Sequence, residues 1–162
     1  MQSQRPSRPG SLSYFRLAVM RTVIPVSAAL GIVWNVVAVC LMGGSVLDAL
    51  SASWLLAGAF AGVAAGVFTI WSRRRRKGRE SVPYGIATYY LGMLVYWASF
   101  VVIARAIMCV EAGGWTDFDL HDHLALIGPF LIYGTVWFGV ILIPLCFVSR
   151  LVLWKVYVRN AA

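Results

Sequence analysis

One seven-residue segment concentrates the side chains that bind metal ions in proteins. It reads Asp-Phe-Asp-Leu-His-Asp-His and contains three carboxylates and both histidines of the chain. In an extended backbone, alternate side chains project to one side, which places Asp117, Asp119, His121 and His123 together. Carboxylate oxygens and imidazole nitrogens are ligands for divalent metals, so the pattern favours a divalent metal site. The alternative is that an aspartate of this segment caps the following helix, whose dipole favours acids at its start.

A second chemically notable residue is Arg105, because it breaks the distribution of positive charge. Thirteen of the fourteen Lys and Arg residues lie before residue 22, within 73–79 or after 149, and Arg105 is the exception. Its guanidinium carries five donors that need acceptors. One interpretation is an ion pair with Asp48 or with an acid of the later loop. The other is an anion or lipid-phosphate site, since the planar fork matches phosphate oxygens.

The remaining reactive side chains form no recognisable catalytic set. Cys40 and Cys109 lie towards the same predicted side of the membrane, so a disulfide is geometrically feasible there, whereas Cys146 lies towards the other side. The sequence has no Cys-x-x-Cys pair, no phosphate-binding glycine loop and no dinucleotide-binding fingerprint. We therefore predict no catalytic residue and, apart from the divalent metal, no cofactor.

The composition indicates which elements must position these residues. Of the 162 residues, 60% are hydrophobic and 12% are charged, whereas a soluble domain carries about 25% charged residues. Apolar stretches cover residues 22–42, 49–71, 84–110 and 124–148, and each reaches the roughly 20 residues that a membrane-spanning helix needs. The sequence therefore predicts an all-α integral membrane four-helix bundle made of two antiparallel transmembrane hairpins.

The charge distribution predicts the orientation of this bundle. The loop 72–83 carries the basic run, five of the six acids lie in the two other loops, and basic loops remain on the cytoplasmic side. Both termini and this loop are thus predicted inside, with residues 1–15 as a disordered tail, 16–159 as the membrane domain and 111–123 as an acidic outer loop. The chain is predicted to be a multi-pass protein of the cell inner membrane. The basic run contacts anionic lipid headgroups and consists of Arg73, Arg74, Arg75, Arg76, Lys77 and Arg79. The net charge of +8 is thereby explained without a nucleic acid partner.

A strip of glycines runs along the second predicted span. Gly58, Gly62 and Gly66 recur every four residues and therefore lie on one helix face, where another helix can approach closely. One interpretation is self-association into an oligomer. The other is packing within the chain against the first span, where Gly31 and Asn35 belong to a strip with the same spacing.

Polar and aromatic side chains also fall at middle depths of the predicted spans. Asn35 is expected to hydrogen-bond to a neighbouring helix. Several large aromatic residues either fill the bundle core or line a cavity for an apolar ligand or quinone. They are Trp34, Tyr96, Trp97, Tyr133 and Trp137.

Three functional hypotheses follow from these features. The first is a non-enzymatic bundle that acts by helix–helix association, as an accessory subunit, an immunity factor or an oligomeric membrane effector with a membrane-protein partner or further copies of itself. The second is a small channel or carrier lined by Asn35, Thr135 and the midplane aromatic residues. The third is a metal-dependent membrane enzyme that uses the acidic His/Asp loop.

Overall fold

The computed structural model describes residues 19–41, 43–77, 79–111, 125 and 127–161. The described residues form six α-helices and two short π-helical segments. The α-helices are α1 (Ile24–Leu41), α2 (Val46–Ala49), α3 (Ala52–Arg75), α4 (Val82–Glu111), α5 (Ile127–Tyr133) and α6 (Gly139–Ala161). The π-helical segments are Val19–Val23, before α1, and Gly134–Phe138, between α5 and α6. The prediction of an all-α bundle is confirmed for these residues. The predicted tail 1–15 lies outside them.

Within the described ranges, four helices are long and apolar enough to cross a membrane: Arg21–Leu41, Ala52–Arg75, Val82–Glu111 and Gly139–Asn160. The chain is therefore a candidate multi-pass membrane protein. The fourth apolar segment lies later in the chain than the predicted 124–148, because α6 continues past its first basic residue, Arg150, which is buried. The orientation of the bundle stays a prediction. We call the end that carries the loop between α3 and α4 the basic end.

The helix α3 lies between α1 and α4 and packs extensively against both. Its glycine strip makes the close approach to α1 feasible. A Cβ atom on Gly31 would lie 2.8 Å from the Cα atom of Gly62, and a Cβ atom on Gly58 would lie 2.9 Å from the Cβ atom of Asn35. Only hydrogen fits at these positions, so the backbones of α1 and α3 are in direct contact.

The short helix α2 closes the connection between α1 and α3. Its first turn forms a capping box, in which the Ser45 hydroxyl accepts from the Asp48 amide (3.1 Å) and Asp48 accepts from the Ser45 amide (2.8 Å). These hydrogen bonds lower the pKa of Asp48, with the Ser45 side chain as the largest cause. The cap fixes the turn that carries the fully buried Ala49 into the bundle.

The helix α6 completes the bundle by packing against α3 and α4, and it makes few contacts with α1. The π-helical segment that precedes it begins at Gly134, whose carbonyl accepts a hydrogen bond from the Tyr89 hydroxyl on α4 (3.2 Å). Near the basic end, Val23, Ile70 and Tyr157 form a buried apolar cluster against which Trp154 packs. This cluster joins the start of α1 to α3 and α6.

Candidate functional site

Two buried arginines and one partly buried glutamate join the helices at the basic end. We call Arg73, Glu80 and Arg150 the ion cluster. One carboxylate oxygen of Glu80, Oε2, accepts from Nε of Arg73 (2.8 Å) and also from its Nη2. The other, Oε1, accepts from Nε of Arg150 (3.0 Å) and forms an ion pair with Nη2 of the same guanidinium (2.9 Å). The side chains of Arg73 and Arg150 are 4% and 2% exposed, so the cluster bridges α3, the loop and α6 inside the protein.

The local backbone places Glu80 between the two arginines. After α3 ends at Arg75, Lys77 adopts a φ of 51° in the left-handed region, which reverses the chain within a few residues. The helix α4 then starts at Val82 and has Pro83 in its first turn, where a missing backbone N–H costs little. Glu80 therefore lies in a short connection that returns it towards Arg73.

Arg150 has further partners on two neighbouring helices. Its Nη1 donates to the Tyr84 carbonyl (3.2 Å) and to the Thr88 hydroxyl on α4. Its Nη2 donates to the Ser72 hydroxyl on α3 (3.2 Å). A buried guanidinium is tolerated when its donors find acceptors of this kind. Arg150 thus ties α6 to α3, to α4 and to the loop at one point.

The ion cluster contains two positive charges and one negative charge. Burial on its own raises the pKa of Glu80, but hydrogen bonds from Arg73 and Arg150 outweigh burial and hold that pKa below its usual value. Glu80 is therefore ionised at neutral pH. The cluster keeps one unit of positive charge at the basic end.

A cavity of about 180 Å³ lies among α1, α3, α4 and the segment from α5 to α6. Its walls are mainly apolar, with Leu30 on α1, Ala65 on α3, Met93 on α4 and Leu142 on α6 among the lining residues. It extends from Arg150 at one end towards the level of Asn35 and Tyr96. We call this space the bundle cavity.

Two sets of polar side chains connect helices around the bundle cavity. The Asn35 amide donates to the Ala49 carbonyl (2.9 Å), and its oxygen accepts from the Tyr96 hydroxyl on α4 (2.6 Å). Across the cavity wall, Nε1 of Trp34 on α1 donates to the Ser149 hydroxyl on α6 (3.0 Å). Asn35 therefore links helices in the structure. The predicted aromatic residues Trp34, Tyr96 and Tyr133 line the cavity.

The structure also places the other predicted site residues. Gly58, Gly62 and Gly66 face α1 of the same chain, so the strip is occupied within the molecule. Asp48 accepts its hydrogen bonds from Ser45 rather than from Arg105, which is partly buried on α4.

The basic run does not share one environment. Arg73 is buried in the ion cluster, whereas its other members are exposed: Arg74, Arg75, Arg76, Lys77 and Arg79. Two of the exposed guanidinium groups lie over aromatic rings, Arg75 over Trp71 at 4.3 Å and Arg76 over Tyr84 at 5.5 Å. Such contacts suit a membrane interface, where aromatic and basic side chains meet lipid headgroups.

The predicted metal ligands Asp117, Asp119, His121 and His123 lie outside the described residues. Within the residues that are described, no group of His, Cys, Asp and Glu side chains has the arrangement of a metal site. Cys40, Cys109 and Cys146 are all free thiols, so the structure does not join Cys40 to Cys109.

Comparison with known proteins gave no significant match to a family model, to a curated protein or to a solved structure.

Proposed function

We propose that this chain is a non-catalytic multi-pass membrane protein that binds an apolar molecule inside its helix bundle. The bundle cavity is the observation that carries this proposal. Its volume of about 180 Å³ exceeds the roughly 150 Å³ of an apolar protein cavity that binds benzene. Protein interiors are otherwise closely packed, so side chains around such a void lack dispersion contacts that a bound molecule restores.

The arrangement of polar groups supports binding rather than catalysis. Hydrogen bonds join each of four polar side chains to another helix: Asn35, Tyr96, Trp34 and Ser149. They are therefore used to hold the walls of the cavity in place. A catalytic site would instead need a nucleophile and a base directed towards the same point.

The hypothesis of helix–helix association, as an accessory subunit, immunity factor or oligomeric effector, rests on the lack of a catalytic set and on the glycine strip of Gly58, Gly62 and Gly66. The strip contacts α1 of the same chain. A protein partner would have to contact other faces of the bundle. Ligand binding in the cavity requires no such additional surface.

A channel or carrier requires a polar path across the bundle, and the geometry gives it little support. The Thr135 hydroxyl donates to the Leu131 carbonyl (2.7 Å) and shares a second hydrogen bond with the Tyr90 hydroxyl (3.2 Å), and Thr135 is not among the lining residues. The apolar cluster of Val23, Ile70 and Tyr157 packs across the basic end. A space with these boundaries suits a bound molecule better than a flow of ions.

The proposal includes the predicted placement in the cell inner membrane, with the basic end on the cytoplasmic side. This placement rests on the basic loop and on the basic residues at the two ends of the chain. Its test is a set of reporter fusions after Asp48 and after Arg76. An export-dependent reporter is expected to be active only at the first site, and the reverse result would refute the orientation.

Two glycine variants test whether the bundle cavity holds a ligand, which is detected as added mass on the protein. Gly92 lines the cavity on α4, and a Cβ atom there would meet only the Ala65 Cβ atom, at 3.9 Å. Gly92→Leu therefore projects a side chain into the space with little disturbance of the backbone. The matched control is Gly128→Leu on α5, because a Cβ atom on Gly128 has no neighbour within 4 Å.

Each protein is released from lipid nanodiscs and weighed by native mass spectrometry. We expect one small bound molecule per chain in the wild type and in Gly128→Leu, and much less in Gly92→Leu. A wild-type chain without a bound molecule, or equal occupancy in all three proteins, would refute the proposed function.

A further inference from the structure

Building on the ligand cavity proposed above, we infer that its occupant is one hydrocarbon chain of a membrane lipid. The sequence left open an apolar ligand or a quinone. The hydrogen bonds, length and access of the cavity together favour an unbranched chain over a ligand with a polar ring.

The polar side chains near the ion cluster are already engaged within the protein. The Thr88 hydroxyl donates to the Tyr84 carbonyl (2.7 Å) and accepts from Arg150. The Thr69 hydroxyl donates to the Ala65 carbonyl (2.8 Å). These groups therefore have partners without any ligand, and the guanidinium of Arg150 is directed to them and to Glu80.

The other polar side chains of the cavity wall also hydrogen-bond within the protein. Ser27 donates to the Val23 carbonyl (2.5 Å), and the Tyr89 hydroxyl donates to the Gly134 carbonyl (3.2 Å). Among the described residues that line the cavity, no buried side-chain nitrogen or oxygen lacks a hydrogen-bond partner. The carbonyl groups of a quinone, or the polar groups of a metabolite, would find few free partners for hydrogen bonds in this space. A hydrocarbon chain has no such requirement.

The length of the cavity matches one lipid chain. Its lining residues on α3 extend from Gly58 to Thr69, which corresponds to about 16 Å at ~1.5 Å per residue. The hydrocarbon core of a bilayer is roughly 30 Å thick, so the cavity is about as long as one leaflet is thick. The acyl chain of a phospholipid has this extent.

Access to the cavity also favours a molecule that is already in the bilayer. Val23, Ile70 and Tyr157 pack together about one helix turn nearer the basic end than the lining residues Ser27 and Leu153, which places an apolar cluster between the cavity and the adjacent aqueous side. The helices α1 and α6 make few contacts, and the Trp34–Ser149 hydrogen bond lies on this boundary. A hydrocarbon chain that enters between these two helices comes directly from the surrounding lipid.

A photoreactive lipid tests this inference. The protein is reconstituted into phosphatidylcholine vesicles that contain a phosphatidylcholine with a diazirine at the middle of one acyl chain, and labelled residues are mapped after photolysis. The cavity positions are Leu30 and Met93, and the reference position is Val140, which is 81% exposed on α6. A quinone that carries the same diazirine is used in a parallel sample.

We expect the lipid probe to label all three positions in the wild type, and to label only Val140 in Gly92→Leu. The quinone probe is expected to leave Leu30 and Met93 unlabelled. Lipid labelling confined to Val140 in both proteins, or cavity labelling by the quinone alone, would overturn the inference. If a bound molecule is nevertheless seen by native mass spectrometry, the proposed function stands and only the identity of the ligand is wrong. If no bound molecule is seen, the proposed function itself fails.

Discussion

Glu80 and Arg150 are separated by 70 positions in the chain and form an ion pair with a 2.9 Å contact between Oε1 and Nη2. This pair joins the loop between α3 and α4 to the last helix, which makes few contacts with α1. The bundle cavity begins beside it, since Arg150 is one of its lining residues. The ion cluster thus fixes the position of α6, and with it the wall of the proposed ligand site.

Replacing Glu80 with Gln should destabilise the fold strongly. The change removes the only negative charge between two buried arginines, and breaking a buried pair in this way costs about 3–5 kcal/mol. The measurement is thermal unfolding in detergent micelles. Glu111→Gln is the matched control, because Glu111 is exposed at the end of α4. Equal unfolding temperatures for both variants and the wild type would show that the ion cluster does not stabilise the bundle.

The contribution of Glu80 should depend on pH in a defined direction. Its pKa in the folded protein is lowered from a usual value of 4.5, so unfolding increases its affinity for protons. The stabilisation is therefore fully present above pH 4.5 and is lost as the pH falls through the lower folded-state pKa. Unfolding temperatures of the wild type and of Glu80→Gln, measured from neutral pH to pH 3, should approach each other as the pH falls below 4.5. A difference that stays constant over this range contradicts the assignment.

Replacing Arg150 with lysine should destabilise the fold, although the positive charge is kept. The guanidinium donates to Glu80, Ser72, Tyr84 and Thr88 in four directions, whereas an ammonium group is a compact point charge with three donors. Arg150→Lys is expected to cost about 1.5–3 kcal/mol for each charged hydrogen bond that is not replaced.

The control for this change is Arg159→Lys, at an exposed position on the same helix. Chemical unfolding of both variants provides the comparison. If Arg150→Lys is as stable as Arg159→Lys, the geometry of the guanidinium is not required.

Two Gly→Ala variants should have opposite effects on stability. Alanine favours a helix over glycine by up to about 1 kcal/mol, but a Cβ atom on Gly62 would lie 2.8 Å from the Cα atom of Gly31. Gly62→Ala should therefore separate α1 from α3 and lower the unfolding temperature. At Gly92 the nearest atom to a new Cβ is 3.9 Å away, so Gly92→Ala should be neutral or stabilising.

The same pair distinguishes folding from self-association. Because the glycine strip contacts α1 of its own chain, Gly62→Ala should change stability without changing the size of the particle in size-exclusion chromatography. Loss of an oligomer at unchanged stability would instead support the association hypothesis.

The sequence was sufficient for the first three long helices because apolar length and the distribution of charge determine membrane spans, whereas the fourth lies later than predicted. It also contained both interpretations of the glycine strip, since Gly31 and Asn35 repeat its spacing on α1. The choice between these interpretations depends on which helix the strip contacts, and this helix is α1. Small residues at this spacing pack equally well within a chain or between chains.

The ion cluster was missed, although the sequence contained a signal for it. Five of the six acids lie in the two loops on the predicted outer side, and Glu80 is the exception beside the basic run. Glu80 is therefore the acidic exception to the charge distribution, just as Arg105 is the basic exception. A predicted span ends before its first charged residue, and this rule places Arg150 outside the fourth span. The burial of Arg150 depends on its ion pair with Glu80.

The bundle cavity could not be predicted from the sequence. Its presence depends on how far α6 lies from α1, α3 and α4, and this distance is set by contacts such as Trp34–Ser149 and Glu80–Arg150. Periodicity places side chains on helix faces but does not give the separation of the helices.

The most direct test of the central claim is the number of small molecules bound to each chain, obtained by native mass spectrometry of the wild type, Gly92→Leu and Gly128→Leu. We expect about one bound small molecule per chain for the wild type and for Gly128→Leu. We expect almost none for Gly92→Leu, because its new side chain fills the cavity. A wild-type number near zero, or the same number in all three proteins, would contradict the central claim.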